Sequence, residues 1–283
     1  MTAPPIVRGT AAWRYFGDFR GALLAGQVLL LQVAHPVVAA GVRDHSNYQQ
    51  DPWTRLLRTA GSLSIYIYGG RDGARFEADR LRELHRSFRG VDADGNRYSA
   101  LNPHAYAWVH ATLVKLPVDA QRFFGHPLTP AELDEYYAQL CEVGRMLGLR
   151  ERDIPPDWAS FEDYYDEMVA GFGPNETIET LLETIRTVRK PRSIPGPLWT
   201  PLRRWQHRFQ LFLISATLPA DFRDKLGLQW TPGRQRRFDR FRAVTRMLGD
   251  LLPISLRSVH VRTVGRLNVW LRAHPAILRR LVK

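Results

Sequence analysis

Cysteine is almost absent from this chain: Cys141 is the only one in 283 residues. That excludes an internal disulfide framework, a cysteine-rich zinc or iron–sulfur site, and c-type attachment through a C-x-x-C-H segment. A reducing compartment is the natural expectation. Cys141 lies in QLCEVGR with no adjacent basic residue, so it reads as an inert core thiol. A long apolar run is also missing. The longest, Ala22 to Ala34 (ALLAGQVLLLQVA), falls short of the ~20 residues that span a bilayer, contains Gln27 and Gln32, and is followed by Pro36. It reads as a buried core helix. The start, MTAPPIVRGTAAW, lacks the charged segment and apolar core of an export signal. A cytoplasmic protein without a membrane-spanning helix is expected. Glycine-rich phosphate loops, a G-x-S-x-G elbow and paired-carboxylate signals are all lacking, which disfavours hydrolase and nucleotide-binding readings.

Acidic residues are scarce at one end. Residues 1–183 carry 18 Lys and Arg against 24 Asp and Glu, whereas residues 184–283 carry 22 against 4. The whole formal charge of +12 therefore comes from the last hundred residues. Such a region can meet nucleic acid, anionic lipid or an acidic partner, or simply be a solvated arginine-rich surface. Nucleic acid ranks last, because no reader motif accompanies the charge and few aromatics are set among the arginines. The segment Val259 to Lys283 mixes Trp270, Ile277, Leu278 and Leu281 with repeated arginines. It suits a helix lying on an anionic membrane surface.

The chain is 45% hydrophobic and 11% aromatic, enough for a large core. Apolar spacing is helical almost throughout, so an all-α fold is expected, as a single large helical domain over 1–283. Its core spans about 17–190 and a basic helical C-terminal part about 198–283. Asp18 caps a predicted helix over Phe19–Ala34, and Pro36 opens a short one over Val37–Val42. Asp51-Pro52 opens Trp53–Tyr68, which Gly69-Gly70 closes. Asp72–Phe88 reads as a charged helix. Asp94-Gly95 suits a turn between two short strands, and the surrounding VDADGNRYS lacks the glutamate of a calcium loop. Asn102-Pro103 starts the next helix, and Thr129-Pro130 with Glu132 starts another, which Gly148 ends. Further helices are predicted over Ser160–Ala170, Thr177–Arg189, Leu202–Ala216, Gly233–Leu251 and Ser258–Leu271, with Lys190–Pro201 as a proline-rich surface connection.

Two segments carry the candidate chemistry. His110 shares a helix face with Tyr106, Ala107, Leu113 and Val114. A neutral imidazole on such a wall suits a proximal haem ligand, its second nitrogen held by a backbone carbonyl. On spacing alone, the ordinary reading is a core histidine with both nitrogens satisfied. Arg55 and Thr59 stand one turn apart, with Ser62 a turn further and Arg58 a quarter-turn away. A buried arginine needs an anion such as a haem propionate, and Thr59 could donate a hydrogen bond to dioxygen. The ordinary reading is a surface pair with Asp51. His35, Asp44 and His45 fit no metal-ligand spacing and read as helix-end residues, with His45 kept as a pocket-rim group. His104 and His126 look like loop or helix-start residues, and His85 sits on the charged helix.

The runs LLLQVAHPVVAAGVRDHS, DPWTRLLRT and WVHATLV together resemble the catalytic domain shared by latex-clearing rubber oxygenases and the farnesyl-cleaving oxygenase of mycophenolic acid biosynthesis. The resemblance covers about Gly17 to Leu149 and continues more weakly through Trp199–Trp230. It implies non-covalent haem b, a globin-like helical core, and dioxygen-dependent oxidation or cleavage of an unsaturated lipophilic small molecule, with an electron donor as a further partner. It places His110 as the iron ligand and Arg55, Arg58 and Thr59 beside the haem. In the rubber-cleaving branch the residue before the motif threonine can be a lysine that approaches the iron. Here it is Arg58, which offers no lone pair, so a sixth position that is open or water-filled is expected. A smaller isoprenoid, fatty or polyketide-type substrate is then favoured over rubber. The alternative is a haem-binding or membrane-surface helical protein without turnover.

Overall fold

The computed structural model describes residues 5–92, 94–188, 190 and 196–263. A first short helix, α1 (Ala11–Tyr15), leads into a 3-10 segment, Phe19–Leu24, capped by Asp18, whose carboxylate accepts from the Arg20 amide. The α-helix α2 (Ala25–Ala34) continues from it. The single helix predicted over Phe19–Ala34 is thus split. The Arg20 side chain folds inward onto Asp18, and the first turns tighten to the 3-10 form. His35 caps α3 (Pro36–His45) through its ring nitrogen, with Pro36 in the first turn, and this helix runs further than the predicted Val37–Val42.

An antiparallel pair follows: α4 (Pro52–Tyr68) and α5 (Gly70–Arg86). The turn between them needs glycine. A side chain at Gly69 would meet the Ile65 carbonyl at 2.6 Å, and Gly70 has φ of +69°. Strands β1 (Arg89–Val91) and β2 (Arg97–Ser99) make the expected hairpin, Val91 opposite Arg97. The Asp92 carboxylate accepts from the amides of Asp94 and Asn96, closing the turn. Asn102 accepts from two amides at the start of α6 (Pro103–Phe124). Thr129 and Glu132 form the reciprocal cap of α7 (Pro130–Leu147), and Gly148 ends it in the left-handed conformation.

Then come α8 (Trp158–Gly171), α9 (Glu176–Thr187), α10 (Gly196–Thr217), α11 (Ala220–Lys225), α12 (Pro232–Asp250) and α13 (Ile254–Arg257). α10 begins inside the segment predicted as a connection, because Pro197 falls in its first turn, where a missing amide costs nothing. The predicted helix Ser258–Leu271 falls outside the described residues beyond Thr263. The fold is all-α, its only described sheet being the two-stranded hairpin. Among the described residues no single helix is long and apolar enough to cross a membrane. The bent pair Phe19–Ala34 and Pro36–His45, at 105°, passes that test jointly, and α2 is mostly buried inside the protein.

α6 lies at the centre. Trp108, fully buried, donates its indole hydrogen to the Leu31 carbonyl at 2.8 Å and packs on Tyr165 and Phe172. Its C-terminal end joins a second cluster in which Leu24, Phe124, Leu213 and Phe238 bring α10 and α12 onto it. A buried ion pair sits there. Arg20, 0% exposed, is bound by Asp18 through two hydrogen bonds of 2.9 and 2.6 Å. Arg20 also donates to the Phe124 carbonyl, and Gln121 donates to Asp18. Gly125 and Gly249 leave room for the guanidinium, since a Cβ at either would come within about 3 Å of it. Asp18→Ala would leave that guanidinium buried and unpaired. The expected cost is about 3–5 kcal/mol in urea unfolding, partly recovered in Asp18→Ala/Arg20→Met.

Candidate functional site

The α4–α5 pair holds a buried polar cluster. Glu77, fully buried on α5, accepts from Ser62 of α4 at 2.6 Å and from Arg80 at 2.7 and 2.9 Å. That carboxylate raises the Arg80 pKa above its ordinary value. One turn beyond Ser62, the Tyr66 hydroxyl is buried without a hydrogen-bond partner among the described residues, and burial raises its pKa. Further along α5, His85 packs edge-on to Tyr106 of α6, ring centroids 5.9 Å apart, and to Phe88 at 5.6 Å. Its Nδ1 is likewise buried and without a partner among the described residues. Burial, with the nearby Arg80 charge, lowers the pKa of His85, so the imidazole is neutral at neutral pH. Phe88 in turn stacks on His45 at 4.6 Å.

The two helices are closely joined at Ser62 and Glu77 and progressively exposed toward the other end. Counting turns in opposite directions from that bond sets Thr59 level with Arg80–Leu81 and Arg55 level with Leu84–His85. In this half of α4, Arg58 and Thr59 are exposed, and so are Leu56 and Leu57, the latter 67% exposed. Leu84 is exposed on α5. Arg55 is half-buried and donates to Ser46 at 2.6 Å, and desolvation lowers its pKa. An arginine–threonine face thus sits level with a neutral imidazole that has an uncommitted nitrogen, with exposed leucines on both helices.

His110 lies elsewhere. It is one turn beyond Tyr106 on α6, buried against α7. Its Nε2 would stand 2.9 Å from a Cβ at Gly144, so only glycine fits there. Desolvation pushes its pKa down to about 4, and a hydrogen bond with the Leu140 backbone partly opposes this. The cavity beside it, lined by Ala107, Ala111, Tyr137 and Cys141 among others, measures about 20 Å³, room for about one water. Nothing among the described residues links His110 directly to Arg55 or Thr59.

His35, His45, His126 and Asp44 are occupied at element ends. His35 caps α3, His45 meets the Arg89 carbonyl, Asp44 pairs with Arg43 and Tyr98, and His126 pairs with Asp250. The cysteine is buried and free, and burial raises its pKa. No three His, Cys, Asp or Glu side chains gather as a metal site among the described residues. A porphyrin asks the protein for less: one axial donor can suffice, because the macrocycle supplies four nitrogens.

His85 matches no motif, and its helix is marked chiefly by charge. The signal was present in the spacing of Ala74, Glu77, Ala78, Leu81 and His85, which marks one inward face on an otherwise charged helix.

The class that the fold defines is an all-helical protein. The chain belongs to the family described as ER-bound oxygenase mpaB/B'/Rubber oxygenase, catalytic domain, which matches residues 13–247. It is similar to two uncharacterized mycobacterial proteins, Mb2261 of Mycobacterium bovis and Rv2237 of Mycobacterium tuberculosis. Each is 28% identical over 235 residues, covering 82% of this chain and 89% of the relative. No solved structure matches it.

Because the folded-state pKa of His110 lies below its ordinary 6.5, the unfolded chain binds that proton more readily. The stability contributed by neutral burial is complete above pH 6.5 and is lost as pH falls toward 4. The loss is on the order of 3 kcal/mol. Urea midpoints across this window should flatten in His110→Leu relative to the parent.

Proposed function

We propose that this protein, a member of an oxygenase family, is a haem b-dependent oxygenase that uses dioxygen on an unsaturated lipophilic small molecule of isoprenoid, fatty or polyketide type. The observation that carries the reading is the Nδ1 of His85, buried and without a partner among the described residues, level with Arg55 in the α4–α5 pair. A polar atom stripped of water without a partner costs about 1–3 kcal/mol, and ligation would recover it. The residues present fit the cofactor on that side. His85 would hold the iron as a neutral imidazole, and Arg55 would offer its guanidinium to a propionate. Exposed Leu56 and Leu84 would cover the macrocycle and exclude water. When bound, haem supplies redox and dioxygen chemistry that no side chain here can perform, with an external electron donor.

Thr59 would donate a hydrogen bond where negative charge develops on oxygen, and Arg55 would add a positive field there. Arg58 is exposed and its guanidinium has no lone pair, so it would not hold the iron. A cytoplasmic setting, and contact with an anionic membrane through Val259–Lys283, belong to the same proposal. Most of that segment lies outside the described residues.

A second assignment keeps His110 as the ligand. Its neutral imidazole in a wall of alanines favours this, although α6 and α7 would have to part to admit a porphyrin. Hemin titration with pyridine hemochrome spectra decides between them. The parent is expected to take up one haem b with a single nitrogen ligand, and His85→Ala to lose most of it while His110→Ala retains it. The reverse pattern would move the iron to His110, and a parent that takes up no hemin would end the haem reading. Thr59→Ala should keep its Soret band and lose about 10²-fold in alkene-dependent oxygen consumption. Haem retention without any oxygen consumption by the parent would instead support a non-catalytic haem-binding protein.

A further inference from the structure

Away from the α4–α5 pair, α9, α10, α12 and the loop before α12 enclose an open groove of about 1060 Å³. Arg186, Arg204, Arg208, Arg234 and Arg237 all line it, and no Asp or Glu does among the described residues. Arg186 is paired with Glu183 at 3.5 Å, and Arg234 donates to the Gln229 carbonyl. Arg204, Arg208 and Arg237 have no carboxylate within ion-pair distance among the described residues. Like charges gathered without counter-charge repel one another, and a polyanion relieves that repulsion. Guanidinium forks match phosphate oxygens in pairs.

The floor is of another kind. Trp205, 61% exposed, stacks on Phe209 with ring centroids 5.0 Å apart, and Phe212 continues the same face of α10. These aromatics follow a one-turn spacing on α10, while Arg204 and Arg208 stand one turn apart beside them. Arginine pairs on two helices thus border an aromatic strip. Its size is that of a small-molecule site.

We propose that this groove binds a phosphate-bearing amphiphile, with the phosphate among Arg204, Arg208 and Arg237 and the apolar chain on Trp205, Phe209 and Phe212. None of its helices contributes a side chain to the α4–α5–α6 cluster, so the inference stands apart from the haem reading. The same chemistry could be presented by a free single-chain phosphate ester or by a phospholipid headgroup at a membrane.

The test uses the full-length protein. Calorimetry would compare dodecyl phosphate below its micelle concentration with dodecyltrimethylammonium, inorganic pyrophosphate and a twelve-residue oligothymidylate. Sedimentation with phosphatidylglycerol or phosphatidylcholine vesicles would be read as the difference between the parent and Arg208→Gln/Arg237→Gln. Both substituted side chains are exposed, so the fold should be unaffected, and thermal melting checks that. Dodecyl phosphate is expected to bind more tightly than any of the other soluble probes. Its affinity should drop about tenfold or more in the double variant, the loss of charge-assisted hydrogen bonds. A vesicle difference that tracks the double variant would place the phosphate on a membrane lipid, and binding of the monomer alone would place it on a free ester. Equal binding of the anionic and cationic chains, unchanged binding by the double variant, or tighter binding of the oligonucleotide would each overturn the proposal.

Discussion

α6 is buried along most of its length, so the polar side chains it carries inward depend on partners inside the protein. Thr112 accepts from Gln32, Lys115 pairs with Glu162 and lies over Trp158, and Gln121 completes the Asp18–Arg20 pair. Each contact pulls a different element onto the central helix: α2, α8 and the N-terminal 3-10 segment. The need to satisfy desolvated polar groups therefore organises the packing as much as apolar burial does.

His110 obeys the same constraint. Burial holds it neutral, its ring bonded to the Leu140 backbone and sealed in by Gly144. The α4–α5 pair departs from it. There the Tyr66 hydroxyl and the His85 nitrogen are removed from water with no hydrogen-bond partner among the described residues, while Leu84, next to His85, faces solvent. At the His85 end of this pair, on which the haem proposal rests, a polar atom lacks a partner among the described residues and Leu84 is left uncovered. Membership of an oxygenase family agrees with that reading.

Charge is partitioned in the same spirit. The acidic residues of the first two-thirds supply internal partners such as Glu77, Asp18 and Glu162, whereas the described arginines of the last hundred residues lie largely on the surface. Part of that surplus forms the wall of the groove beside α10 and α12.

The capping signals were legible without a structure. Asn102-Pro103, Thr129 with Glu132, and the glycines at 69–70 and 148 all end or start helices where the residues alone place them. Such bonds join positions within about four residues of one another, so local order determines them. Which histidine has a free nitrogen was not legible in this way. It depends on Gly144 closing over His110 and on Tyr106 and Phe88 flanking His85 without bonding it. The burial of Arg20 depends likewise on Phe124 and Gly249. The chain by itself determined an all-α protein, those helix ends that carry a local cap, and its charge asymmetry. Only the tertiary structure decided which polar groups were left without partners, because desolvation is imposed by residues distant in the sequence.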